Sequence, residues 1–249
     1  MVGHQKGHTT AELVARNFGL ARPEGYRKGL RVMQLAARLG LPIVTLVDTQ
    51  GAYPGLDAEE RGQALAVAQN ILQMCGLPTP VVSVVTGEGG SGGALAFAVA
   101  DRVLMLENAI YSVISPEGCS SILWHTTEAA PDAARALRIT APELLRLGVA
   151  DAIIPEPEGG AHCDPLAAAD ALRQALEEVL PGLCRTPTGA LVDARRRRFR
   201  RYGSGSVDEP GGAQVTALPG PAELPGPAEL PGARVGTRAG ARVEAVETR

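Results

Sequence analysis

The sequence predicts an α/β domain built on short parallel strands, followed by a tail that does not pack. Three observations carry this. Up to residue 202 the text alternates between helical spacing and short apolar runs rich in β-branched residues, the pattern of strand-helix units on a parallel sheet. Two of the strand-to-helix junctions are crowded with glycine, as where an open α/β sheet meets a ligand. The last 47 residues, Gly203 to Arg249, hold 9 Gly and 6 Pro, no aromatic residue, and a hexad that starts at Leu218, repeats at Leu224 and begins again at Leu230. At that proline density helices and ladders both lose donors. Residues 1–202 are therefore expected to form the domain and residues 203–249 a disordered tail.

The elements follow in order. Tyr26, Leu30, Met33 and Ala37 recur at helical spacing within Glu24 to Leu39, and Gly40 with Pro42 ends that helix. Ile43 to Val47 reads as a buried strand. Asp57 with Glu60 resembles a capping box opening a helix that runs to about Cys75 and closes at Gly76. Pro80 to Val85 is the next strand, Ser91 to Ala100 a helix, Val103 to Leu106 and Tyr111 to Ile114 further strands. Ser115 then caps a helix with Pro116 at its first position. Helices near Ala141 to Leu147 and Pro165 to Leu180 flank a strand at Ala152 to Ile154.

Composition removes several function classes. A formal net charge of -3, with the basic residues concentrated in one short run, gives no extended surface for nucleic acid. Cys75, Cys119, Cys163 and Cys184 lie far apart with no C-x-x-C pair, which argues against a zinc knuckle or a disulfide framework and fits reduced thiols in a cytoplasm; no metal is expected on this chain. No apolar run approaches the roughly 20 residues that span a bilayer, and Met1 to Thr10 is polar, so neither membrane nor export is expected.

The chemistry is expected at the junctions Asp48-Thr-Gln-Gly-Ala-Tyr-Pro-Gly55 and Gly87-Glu-Gly-Gly-Ser-Gly-Gly93, the second with five glycines in seven residues. Such turns let the backbone approach a ligand and leave N–H groups free at a helix start, a place for an anion. Glycines that merely seat a helix on a sheet are the plainer alternative. Three motifs overlay the second junction. Gly87-x-Gly89-x-x-Gly92, with Glu107 twenty residues on, matches a dinucleotide fingerprint, though loosely, because a strand-helix pair precedes it. Gly89-x-Ser91-x-Gly93 matches a nucleophile elbow whose partners would be His125 or His162 with Asp132 or Asp151. The third reading is an oxyanion hole of backbone N–H groups at both junctions, with no nucleophile. A Walker loop fails, since no Lys-Ser or Lys-Thr follows the glycines.

Seven motifs carry a family resemblance. Gly3-His-Gln-Lys-Gly7, Arg22-Pro-Glu-Gly-Tyr-Arg-Lys28, Asp48 to Gly55, Ala58-Glu-Glu-Arg-Gly-Gln63, Gly87 to Leu95, Tyr111 to Cys119 and Ile154 to His162 closely resemble, in order, the carboxyltransferase alpha subunit of bacterial acetyl-CoA carboxylase. The resemblance covers Gly3 to Tyr202. It implies a crotonase-type spiral of ββα units. It also implies transfer of a carboxyl group from carboxybiotin, held on a biotin carboxyl carrier protein that a biotin carboxylase loads, to acetyl-CoA, giving malonyl-CoA for fatty acid synthesis. Alpha and beta subunits then each supply one oxyanion hole, alpha on the biotin side. By position, Gly89 and Gly90 are the expected backbone donors and Gly51 and Ala52 the facing loop. Tyr53 is expected to line the cleft or pack its wall, Ser91 to shape the turn, and Glu88 and Glu117 to touch ligand or cap helix starts.

Arg195 to Arg201, six Arg in seven residues, reads as a solvated face on the closing helix, with CoA phosphates as the alternative. Lys6, Arg27 and Lys28 are placed near the cleft by the resemblance. Two departures stand out. Gln50 occupies the family's Pro position, which leaves an N–H and loosens the loop. The chain opens directly on the Gly-His-Gln-Lys-Gly motif, where the family has further elements, so an incomplete first ββα unit is expected. Two other readings stay open: a stand-alone crotonase-like or serine hydrolase using Ser91, and a non-catalytic scaffold.

Overall fold

The computed structural model describes residues 1–203. The expected tail from residue 204 on, with its hexad repeat, lies outside the described residues. The chain opens with β1 (Val2–Gly3), α1 (Thr10–Ala15), a 3-10 turn (Asn17–Gly19) and α2 (Pro23–Arg38). Then come β2 (Ile43–Thr49), α3 (Leu56–Glu60), α4 (Gln63–Met74), β3 (Val81–Gly90), α5 (Ser91–Leu95), β4 (Arg102–Leu106) and β5 (Ile110–Ser112). The described chain closes with α6 (Pro116–Trp124), α7 (Ala130–Leu137), α8 (Ala141–Arg146), β6 (Ala152–Ile154), α9 (Pro165–Arg185) and α10 (Thr188–Arg201).

Among the described residues the named strands all pair parallel, in the order β1-β2-β3-β4-β6, with β5 joined to the far end of β3, and an isolated antiparallel bridge joins Ile110 to Thr140. The long β3 therefore serves two neighbours in succession: Val82 to Val85 ladder with β4, and Glu88 to Gly90 with β5. Val81, Val82, Val84 and Val85 are all fully buried, so both faces of β3 are covered. That explains why the strand reads as an apolar run, broken only by Ser83, rather than an alternation.

Several expected elements change on folding. The helix expected from Asp57 to Cys75 is two helices, because Gly62 adopts the left-handed conformation (φ 78°) between them. The capping box expected there does not form: Gly55 is the N-cap, and the Asp57 carboxylate instead pairs with Arg22 at 2.6 Å and Arg61 at 3.1 Å. A capping box does form at α1, where the Glu12 N–H donates to Thr9 Oγ1 at 3.2 Å and the Thr9 N–H to Glu12 Oε2 at 3.3 Å. The helix expected over Ser91 to Ala100 stops at Leu95, and β3 runs on to Gly90 where a turn was expected. The strand expected at Tyr111 to Ile114 is Ile110–Ser112, and α9 passes through Pro181 to end at Arg185. Ser115 does cap α6, accepting the Gly118 N–H at 3.1 Å behind Pro116 at the first position.

The arginine run is only partly a solvated face. Arg195 is fully buried, and all five of its N–H donors are used. Nε and Nη2 grip Asp101 at 2.9 and 2.6 Å, Nη1 reaches Met74 O and Leu77 O at 2.7 and 3.0 Å, and Nη2 also reaches Thr79 O at 2.8 Å. Arg198 Nη1 binds both Asp151 oxygens at 2.7 and 2.6 Å, and Nη2 donates to Val149 O at 2.8 Å. One turn apart on α10, these two arginines hold the closing helix to the sheet.

Candidate active site

The two glycine-rich junctions meet at the carboxyl ends of β2 and β3, where Thr49 pairs with Gly89 across a register shift that follows Val47. The buried Thr49 hydroxyl shapes the first turn: it donates to Gly51 O at 2.8 Å and accepts the Gly51 N–H at 3.2 Å. The second junction presses directly on this turn. A Cβ on Gly90 would lie 1.9 Å from Gln50 O, and one on Gly93 would lie 2.3 Å from Gly51 C, both backbone atoms with no room to yield. At these two positions glycine permits contact between two main chains. The plainer alternative, glycines for close packing, thus accounts for part of the run, while a Cβ on Gly92 would meet only Val67 Cγ1 at 3.5 Å.

The first loop is held from outside by Ala21, whose carbonyl accepts the Tyr53 N–H at 3.2 Å and Gln63 Nε2 at 2.8 Å. The Tyr53 ring lies under the Arg22 guanidinium, 4.4 Å from carbon to centroid, so it is a packed wall fixed by the start of α2. Between the engaged amides of Gly51 and Tyr53, the Ala52 N–H has no acceptor among the described residues. Gly51 itself is buried, and a Cβ there would make an ordinary contact with Ser91 Cβ, 4.0 Å away. Gly89 and Gly90 are not in an open turn. They are the last rungs of β3, paired with Tyr111 and Ser112 of β5. With α5 only five residues long, the helix-dipole contribution expected at this junction is small.

An ion cluster missed by the sequence reading ties both junctions to the segment after β1. Lys6 Nζ donates to Asp48 Oδ1 at 3.1 Å, on the first junction, and to Glu88 Oε2, on the second. Asp48 Oδ1 also accepts the Glu88 N–H at 3.0 Å. Partial burial alone would lower the Lys6 ammonium, but the hydrogen bonds to Glu88 and Asp48 outweigh it and raise its pKa above the ordinary value. Glu88 thus lies within β3 with its carboxylate on Lys6, and not at a helix start. Nothing local signals this cluster, since Lys6 stands 42 and 82 residues from its partners. Next to it, His4 Nδ1 accepts the Asp48 N–H at 3.4 Å, and its ring meets Phe97 edge-on, centroids 5.2 Å apart. Burial pushes its pKa down to about 4, so the imidazole is neutral.

The competing motifs do not assemble. Ser91 has a left-handed backbone (φ 53°), as a strained turn would, yet no hydrogen bond links its hydroxyl to a histidine among the described residues. His125 is the C-cap of α6, and His162 follows the Gly159–Gly160 turn beyond β6. Asp132 pairs with Arg135, and Asp151 with Arg198. Glu107 faces β6, accepting the Glu156 N–H at 3.3 Å, so it is not posed as a ribose acid for Gly87. Glu117 is exposed in the first turn of α6, where an acid favours the helix start.

Comparison with known proteins now bears on the fold and family. A family model described as acetyl co-enzyme A carboxylase carboxyltransferase-like matches residues 1–203. The acetyl-coenzyme A carboxylase carboxyl transferase subunits beta/alpha of Salinispora arenicola (strain CNS-205) is 65% identical over 214 residues, 86% of this chain and 38% of that protein. The subunit alpha of a Thermus thermophilus strain is 58% identical over 204 residues, 82% of this chain and 65% of that protein. The chain thus spans under two thirds of the length of these relatives. A solved Pseudomonas malonate decarboxylase hetero-tetramer in complex with coenzyme A shares the fold, with TM-score 0.58 and 18% identity over 72% of this chain and 73% of that one. The architecture is crotonase-like, as the motifs implied. On a match that runs through every described residue, the chain belongs to the acetyl co-enzyme A carboxylase carboxyltransferase-like family.

Proposed function

We propose that this chain is the alpha half of an acetyl-CoA carboxylase carboxyltransferase, working in the cytoplasm with a beta chain across a shared cleft. Its substrates are a carboxyl group on biotin, brought by a biotin carboxyl carrier protein that a biotin carboxylase loads, and acetyl-CoA; the product is malonyl-CoA. The observation that carries this is the seating of Gln50–Gly51 on Gly90–Gly93, with the Ala52 N–H left without an acceptor among the described residues.

Carboxybiotin supplies the activated carboxyl group and leaves a ureido nitrogen able to take the acetyl methyl proton. This chain's part is positioning and charge stabilisation. The Ala52 N–H is one donor to a developing oxyanion, and the Gly89–Gly90 main chain, laddered to β5, supplies the opposite wall. Each preorganised donor of this kind is typically worth about 3 kcal/mol in the transition state. The Lys6 tie between Asp48 and Glu88 fixes the spacing of the two junctions, and Tyr53 walls the entrance. No side-chain nucleophile is needed, so Ser91 shapes the turn.

The test is malonyl-CoA-dependent carboxylation of free biotin, with the chain alone and then with a beta chain. Activity in the pair only, kept in Ser91→Ala, supports the reading. CoA release from malonyl-CoA by the chain alone, with no carboxylation of biotin and lost in Ser91→Ala, would indicate a hydrolase, and an inactive pair that nonetheless associates would indicate a scaffold.

A further inference from the structure

α2 and α4 both run out just before β2 and β3 begin, so their last turns meet at the amino ends of the strands, the end of the sheet opposite the glycine-rich junctions. Between these two helix ends and α10 lies a cavity of about 530 Å³. Its floor, the turn from Gly76 to Pro78, is pinned from both sides: Arg195 Nη1 holds Met74 O and Leu77 O at 2.7 and 3.0 Å, and the Thr79 hydroxyl donates to Leu41 O at 2.9 Å. Two cations face this space. Arg38 comes from the last turn of α2 and Arg196 from α10, where a Cβ on Gly76 would lie 3.5 Å from Arg196 Nη2. Neither guanidinium has a hydrogen bond or ion pair among the described residues, and no carboxylate among them lines the cavity. A cation at an exposed helix end gains up to about 1 kcal/mol from the dipole, which accounts for either arginine singly. The two together leave a pair of positive charges on one pocket with no acid to balance them. Gln34 and Gln73 add carboxamides that both donate and accept, and Leu72, Leu77 and Pro78 add an apolar wall.

We propose that this cavity binds a phosphorylated small molecule with a ring-bearing body, of the nucleotide class. Guanidinium forks match phosphoryl oxygens two at a time. The volume lies in the range of about 300–1,000 Å³ usual for small-molecule sites, more than a bare phosphate fills. The carboxamides suit the hydrogen-bonding edge of a base or the hydroxyls of a sugar, and the leucine-proline wall suits the face of a ring. Because the floor is already fixed by Arg195 and Thr79, little ordering opposes binding. β3 is ten residues long, so at about 3.3 Å per residue the glycine-rich junctions lie roughly 30 Å away. The ligand is therefore held apart from the reacting groups, and is not the phosphate end of the coenzyme A used in the reaction proposed above.

The experiment titrates the full chain with ADP, GDP, inorganic pyrophosphate and adenosine by isothermal titration calorimetry. ADP or GDP should bind at least threefold more tightly than pyrophosphate, and adenosine should not bind. Arg38→Gln and Arg196→Gln should each weaken the nucleotide tenfold or more. Arg197→Gln, which removes an exposed charge of α10 that does not line the cavity, should leave it within twofold. All three side chains are exposed, so the variants keep the fold, which thermal melts check. No nucleotide binding at millimolar concentration overturns the proposal, as does binding indifferent to Arg38→Gln and Arg196→Gln, an equal loss in Arg197→Gln, or pyrophosphate binding as tightly as the nucleotide. A further arm separates the two sources of a diphosphate: in the pair with a beta chain, a KM for malonyl-CoA raised severalfold by Arg38→Gln would put the coenzyme's own phosphates here and overturn the proposal, while a KM within twofold upholds it. The titrations stand whether or not the pair carboxylates biotin.

Discussion

Replacing Arg195 by alanine should be among the most damaging changes outside the site. The guanidinium satisfies both Asp101 oxygens and the carbonyls of Met74, Leu77 and Thr79, and the pair's side chains are 0% and 3% exposed. Without it, Asp101 keeps the Val81 N–H, at 2.8 Å, but its charge is buried and uncompensated, and three carbonyls lose their donors. Breaking one side of such a pair costs about 3–5 kcal/mol. For a domain of this size that is a fall in Tm of about 6–20 °C. Urea titration and thermal melts followed by far-UV circular dichroism would read it. Arg195→Met combined with Asp101→Leu should cost less than the two single changes together, with a coupling of about 2 kcal/mol, because no lone charge stays buried. A single-variant loss under about 1 kcal/mol, or strict additivity, would refute the view of Arg195 as the staple of α10.

Further outcomes follow from the junctions and the cluster behind them. Gly90→Ala should lower Tm sharply or abolish soluble expression, since its Cβ would overlap Gln50 O, whereas Gly92→Ala should cost under about 1 kcal/mol; paired melts of the two check this. Ser91→Gly should stabilise by about 1 kcal/mol in urea titration, because it relieves the left-handed backbone of an exposed non-glycine residue. Lys6→Met should cost about 1 kcal/mol at pH 7, with Lys6→Arg restoring part of it. His4 is held neutral by burial, so the unfolded chain takes up its proton first as pH falls. Its contribution is complete above pH 6.5 and roughly 3 kcal/mol is lost on the way down to about pH 4, a slope that His4→Phe should flatten in stability measured against pH.

The strands were legible because they are buried on both faces: Ile43 to Val47 and Val81 to Val85 are apolar runs broken only by Thr45 and Ser83, and such runs need no long-range information to recognise. The junctions were legible because five glycines in seven residues have few structural explanations. What escaped depends on partners far along the chain. Asp57 looks like a cap by spacing, but Arg22 and Arg61 compete for its carboxylate and Gly62 turns the backbone out of the helix. The arginine run looks like a solvated stripe because nothing nearby reveals that Asp101, 94 residues away, waits under Arg195. Likewise Glu88 stands where a helix cap would, and only the fold brings Lys6 to it.

Folding of the chain is governed by the shared use of β3. Because β2, β4 and β5 all take their register from that one strand, neither half of the sheet can settle before β3 is in place. Its partners across β2 lie some 38 residues away, as between Ile43 and Val81, so loop closure precedes most of the reward and folding should be slow for a domain of this length. Once formed, the same arrangement leaves no cheap local opening. The amides of Val82 to Val85 should exchange with solvent only when the whole domain unfolds, while those of the short edge strand β1 exchange first.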